Sequence, residues 1–166
     1  MAKPEVWQRG PVEGVPALLQ PVAHTLLQCR EDVQATLAGL APAEIWRAQT
    51  GASIGFHVVH ALGALDRLFT YARGEALSEE QRRAIAQESH PDTAASATDL
   101  LARCDAGIDR ALEQVRGTDA STLTDERFVG RARLPSTVLG LLFHAAEHMQ
   151  RHMGQALTTR KLLIGR

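Results

Sequence analysis

The 166-residue chain carries 18 basic and 19 acidic side chains, for a formal charge of −1 and a pI near 6.7. Both signs are spread along the chain, which leaves no electrostatic footprint for nucleic acid or an anionic membrane surface. No apolar run reaches the ~18 residues of a membrane span and the first residues lack a signal-peptide core, so the expectation is one soluble cytoplasmic domain.

Residues 1–15 place Pro4, Gly10, Pro11 and Gly14 around Trp7, and read as an irregular arm with Trp7 as its apolar anchor. From 16 to 40, Val22, Leu26, Cys29, Val33, Leu37 and Leu40 recur every three or four positions, predicting an amphipathic helix with Pro21 near its first turn. His24 lies off that stripe and reads as a surface or supporting residue. Cys29 and Cys104 form no C-x-x-C motif and read as small buried hydrophobes of a reducing compartment. The connection over 39–52 contains Trp46, which either caps the core or lines a substrate mouth.

Ser53 suits the N-cap of a second helix, with Ile54, Val58, Ala61, Leu62, Leu65, Leu68, Phe69 and Ala72 as its stripe and Gly74 as its stop. This helix carries His57 and His60, about 60° apart around the axis, so at least one can face the bundle interior. Asp66 and Arg67 read as surface or inter-helix contacts. Ser78 and Gln81 form a capping box for a short helix to Glu88, ended by His90 and Pro91. Ser96 and Asp99 open the next helix, with Leu101, Cys104, Ile108, Leu112 and Val115 as its stripe and Gly117 as its stop. Residues 117–135, with Arg127, Arg131 and Arg133, read as a polar loop long enough to be a lid or substrate-contact segment. No alternation of period two persists, so no strand is expected.

The last helix, predicted over 136–160, holds His144, His148 and His152 at intervals of four. Each step advances only about 40°, so neighbours in the trio share a face one turn apart. Val138, Leu141, Leu142, Ala145, Met149 and Met153 place that face beside or within a buried stripe. Imidazoles at i and i+4 can hold one metal ion, and spacing alone leaves 144/148 and 148/152 equally open. His144, Glu147 and His148 also spell H-x-x-E-H, the inverted zincin motif with its glutamate as base. Packed, hydrogen-bonded core histidines are the other alternative. A trio at one spacing together with His57 and His60 favours a metal. Four principal helices, near 16–40, 53–73, 97–116 and 136–160, with a short one near 78–88, predict an all-α four-helix bundle.

The stretch from Ser53 through His60 to Gly74 resembles the second helix of the DinB/YfiT-like superfamily, where the second histidine of a W/F-H-x-x-H run is a metal ligand. His148, His152, Gly154 and Gln155 resemble that superfamily's fourth-helix signature, H-x-x-x-H followed by x-G-Q. The resemblance spans nearly the whole chain. It implies an up-down-down-up bundle and one divalent transition metal, zinc foremost with nickel or iron as alternatives, held by His60, His148 and His152. It thereby selects 148/152 over 144/148. His57 and His144 become supporting or substrate-contact residues, Glu147 a group that orients a neighbour, and Gln155 a contact from the next turn. The resemblance further implies a transferase that places a low-molecular-weight thiol, of the bacillithiol, mycothiol or glutathione type, on a small electrophile. A metal-dependent hydrolase and a non-catalytic metal-binding or sensing bundle are the alternatives. An apolar helix surface is compatible with a homodimer.

Overall fold

The computed structural model describes residues 3–48, 51–88, 90 and 92–164. In chain order its elements are α1 (Gln20–Leu37), α2 (Pro42–Ile45), α3 (Ile54–Ala72), α4 (Glu79–Gln87), α5 (Ala97–Gly117), β1 (Glu126–Val129), β2 (Leu134–Thr137) and α6 (Val138–Ile164). Side-chain chemistry sets the helix starts. The hydroxyls of Ser53, Ser78 and Ser96 each accept a hydrogen bond from the backbone N–H three residues on, satisfying donors that the first turn leaves free. Gly74 ends α3 at a φ of 79°, where a side chain would be strained. Pro91, expected to help end the short helix, lies outside the described residues.

α1, α3, α5 and α6 are the bundle, and their contacts give its direction. Leu62 meets Gly107 and Phe69 O accepts from Gln114, so α3 and α5 run parallel. His57 meets His152 and His60 meets His148, so α3 and α6 run antiparallel. Arg30 pairs with Asp105 and Asp109 while Gly14 touches Arg116, so α1 opposes α5. The order is therefore up-down-down-up, and the parallel pair demands a crossover. That crossover contains α4, which runs back along α3: Gln81 donates to Asp66 and Thr70 near its start, and Arg67 pairs with Glu88 just past its end. Leu26, Cys29, Ile54, Leu65, Cys104, Ile108, Leu142, Met149 and Met153 fill the interior, and both cysteines are free thiols. No helix of the described residues is long and apolar enough to cross a membrane.

Two expectations are corrected. The segment 117–135 is not a plain loop: β1 and β2 pair antiparallel from Glu126 opposite Thr137 to Val129 opposite Leu134. Four-residue strands, one containing Pro135, are too short to display a period-two pattern. Gly130 and Arg133, at φ 66° and 48°, make the turn between them. The strand also delays α6, which starts at Val138 with Thr137 Oγ1 accepting from Gly140 N. In the arm, residues Val6–Arg9 form a 3-10 turn whose anchor is Val6, 7 % exposed, and not Trp7, 62 % exposed. Val6 N donates to Gln28 Oε1 and Arg9 pairs with Glu31, so the arm is pinned to α1 by polar contacts.

Candidate metal centre

α3 and α6 form the most extensive helix pair in the bundle. On α6 the innermost line is Ala145, Met149, Met153 and Ala156, none more than 1 % exposed. His148 and His152 each precede one of those methionines and are therefore turned by about 100°, toward the seam with α3. On α3, Val58, Ala61 and Leu65 point inward, which turns His57 and His60 to the same seam. Helical phase alone thus delivers imidazoles to one place from both sides.

His60 Nε2 lies 3.2 Å from His148 Nε2, and the His152 ring centroid lies 4.7 Å from that of His60 and 4.6 Å from that of His148. One nitrogen from each of His60, His148 and His152 falls within 4.8 Å of the others, a grouping able to hold a metal ion. Tetrahedral zinc with Zn–N bonds of about 2.1 Å separates its nitrogen ligands by about 3.4 Å, so the 3.2 Å pair is already at ligand spacing. Two lone pairs this close repel, so without a cation one nitrogen of the pair must carry a proton.

The electrostatics suit the same use. Burial first, then the charges that neighbouring His148, His60, His57 and Arg151 would carry, push His152 down to about 4. His148 is lowered by burial, then by His60 and other neighbours, and His57 by burial and then His60. Each of these three is therefore neutral at pH 7 and able to offer a lone pair, the form in which imidazole binds metals.

The other predicted residues fall into distinct places. His57 is buried, and its Nδ1 sits 3.0 Å from His152 Nδ1, where it can orient that ring. His144 stands apart from the cluster, with its side chain 52 % exposed. Its Nδ1 lies 3.4 Å from Glu147 Oε2, and Arg151 also holds Glu147, whose carboxyl the Arg151 hydrogen bond keeps below its usual range. Gln155 lines a groove of about 510 Å³ with His57, Arg151, Gly154, Thr158 and Thr159. His24 Nε2 contacts Gly10 O at 3.0 Å and serves the arm. Trp46 donates from Nε1 to Ala95 O at 2.8 Å and packs on Gly55, so it joins the α2 turn to the start of α5.

The segment expected to be a lid lies elsewhere. Arg127 of β1 donates to Ala72 O at the end of α3, twelve positions or roughly 18 Å along the helix axis from His60. The cavity of about 720 Å³ beside it, lined by Tyr71, Arg82, Arg127, Arg131 and Arg133 among others, contains no histidine.

Sequence reasoning missed the carboxylate that touches the cluster. Glu88 Oε2 lies 2.7 Å from His60 Nδ1, and Arg67 Nη1 pairs with Glu88 Oε1. Phe56 stacks on His60 at 5.4 Å between centroids with 6° between ring planes. The one legible signal was Gly63. Glycine inside a helix costs about 1 kcal/mol against alanine, and here a Cβ would come within 2.7 Å of Glu88 Oε1.

The fold is similar to a crystal structure of a conserved protein of locus from Enterococcus faecalis, with a TM-score of 0.70 and 20 % identity over 89 % of this chain and 98 % of that one. A comparison with curated proteins returns no match. The sequence profile of the DinB superfamily matches residues 25–156, from the first turns of α1 to beyond His152, and the chain belongs to that superfamily.

Proposed function

We propose that the chain is a metal-dependent enzyme in which His60, His148 and His152 hold one divalent transition ion and a low-molecular-weight thiol is transferred to a small electrophile. The observation that carries the metal part of this reading is the convergence of one nitrogen from each of those histidines within 4.8 Å; the thiol part extends the family resemblance. Membership of a superfamily associated with metals supports it. When bound, an ion with three neutral imidazoles keeps a position for an added ligand, where it can acidify a thiol or water. Zinc suits the donor set, with nickel and iron as alternatives.

The chain's own residues would then supply orientation and binding. His57 fixes His152 from behind. Gln155 and Thr159 along the adjacent groove offer an amide and a hydroxyl, groups that suit the carboxylates and amides of a peptide-like thiol.

The test begins with elemental analysis of untagged protein purified without chelator or nickel resin, beside the His60→Ala, His148→Ala and His152→Ala variants. One transition ion per chain, lost in each variant, is the expected result, followed by thiol-dependent turnover of electrophiles by the metal-loaded protein. Absence of metal after reconstitution refutes the reading. Bound metal with turnover only of hydrolysable substrates refutes the thiol part.

A further inference from the structure

Glu88 stands 28 positions from His60, at the end of the crossover helix, yet its Oε2 lies 2.7 Å from His60 Nδ1. Its other oxygen is ion-paired with Arg67, and both side chains are only 15 % exposed. A carboxylate oxygen accepts and cannot donate, so the bond must run from Nδ1–H of His60 to Glu88. In the neutral ring that assigns the tautomer: His60 keeps its lone pair on Nε2, the atom 3.2 Å from His148 Nε2. Phe56, stacked on the same ring, limits its tilt. Gly63 leaves room for this approach: a Cβ there would lie 2.7 Å from Glu88 Oε1 and 2.8 Å from Arg67 Nη1, so both side-chain ends would have to shift.

We infer that Glu88 is the positioning residue of the metal centre: it accepts the Nδ1–H of His60, presents Nε2 to the ion, and so makes the α3–α5 crossover a working part of the site. Carboxylates that hold the far nitrogen of a ligand histidine fix its orientation and raise its basicity. The inference rests on the reading of His60, His148 and His152 as the ligand set. It adds that the short helix, which contributes no ligand to that set, governs affinity for the metal.

The experiment has two arms on the full-length protein. Zinc affinity is measured by competition with a chromophoric chelator for wild type, Glu88→Ala, Glu88→Gln and Gly63→Ala, with the visible spectrum of the cobalt forms beside it. In parallel, nitrogen-15 NMR of the metal-free wild type reports which ring nitrogen of His60 is protonated. Removing Glu88 is expected to weaken zinc by about 10–100-fold and shift the cobalt bands, and Gly63→Ala, which only pushes the flexible ends of Glu88 and Arg67 aside, should lose less. Glu88→Gln, whose amide oxygen still accepts, should lose less. The wild-type His60 should be protonated at Nδ1. A merely structural Glu88 would lower the melting temperature and leave the cobalt spectrum unmoved.

Losses below about fivefold in Glu88→Ala, short of the expected range, overturn the inference, as does a wild-type His60 protonated at Nε2. Should a variant fail to fold, the tautomer of the wild type still decides. If the wild type takes up no zinc, it is the ligand reading that fails, and the tautomer reports separately on the Glu88 contact.

Discussion

Metal binding should appear as stability, because a preformed cluster binds the ion in the folded state alone. At a free zinc concentration a hundred times the dissociation constant, the gain is about 2.7 kcal/mol. Unfolding entropy near 2.1 cal/mol/K per residue gives about 0.35 kcal/mol/K for 166 residues, so the melting temperature should rise by about 8 °C. His148→Ala removes the nitrogen that faces His60 at 3.2 Å, and its melting temperature should not respond to zinc. The metal-free variant should still unfold cooperatively, because the adjoining interior of Ala145, Met149 and Met153 is intact. Differential scanning calorimetry with zinc, and then with chelator, reads both effects. An equal rise in His148→Ala places the binding elsewhere and refutes the reasoning, and loss of cooperative melting in the metal-free wild type would make the ion structural.

Three further outcomes can be measured. The metal-free protein should lose stability as pH falls from about 6.5 toward 4: the unfolded chain takes up a proton at His152 in that window and the folded chain, with His152 at about 4, does not. Discounted for partial exposure, this is about 1–2 kcal/mol at the acidic end; an equal pH slope in His152→Ala, read by urea unfolding, would exclude this source. Gly55→Ala should cost about 1–3 kcal/mol and perturb Trp46 fluorescence, because the new Cβ would sit 2.6 Å from the indole, and an unchanged denaturation midpoint would contradict that packing. Burial raises the Cys29 thiol well above its usual range and pushes Cys104 up to about 12, so neither should react with a disulfide reagent until the protein unfolds. Stoichiometric labelling of the native state would count against it.

Local chemistry carried much of this protein into its sequence. The serines at 53, 78 and 96 announce helix starts because each caps a backbone N–H within its own first turn. The histidines at 144, 148 and 152 are legible as a series because α-helical geometry relates them without reference to the rest of the chain. Which pair of them meets His60 was not legible in spacing, and only the resemblance to a family had favoured 148 and 152. The tertiary structure brings those two to His60 through the antiparallel phase of α3 against α6 and leaves His144 exposed. Glu88 and Arg67 show the same division more sharply. Their types and positions say nothing about His60, because the contact exists only after the parallel α3–α5 pairing forces a crossover and lays α4 back along α3. The hairpin escaped for a different reason: strands of four residues, made by pairing with each other, leave too short a pattern to read singly. Sequence determined what depends on neighbours within about one or two helical turns; the fold decided what depends on which helix faces which.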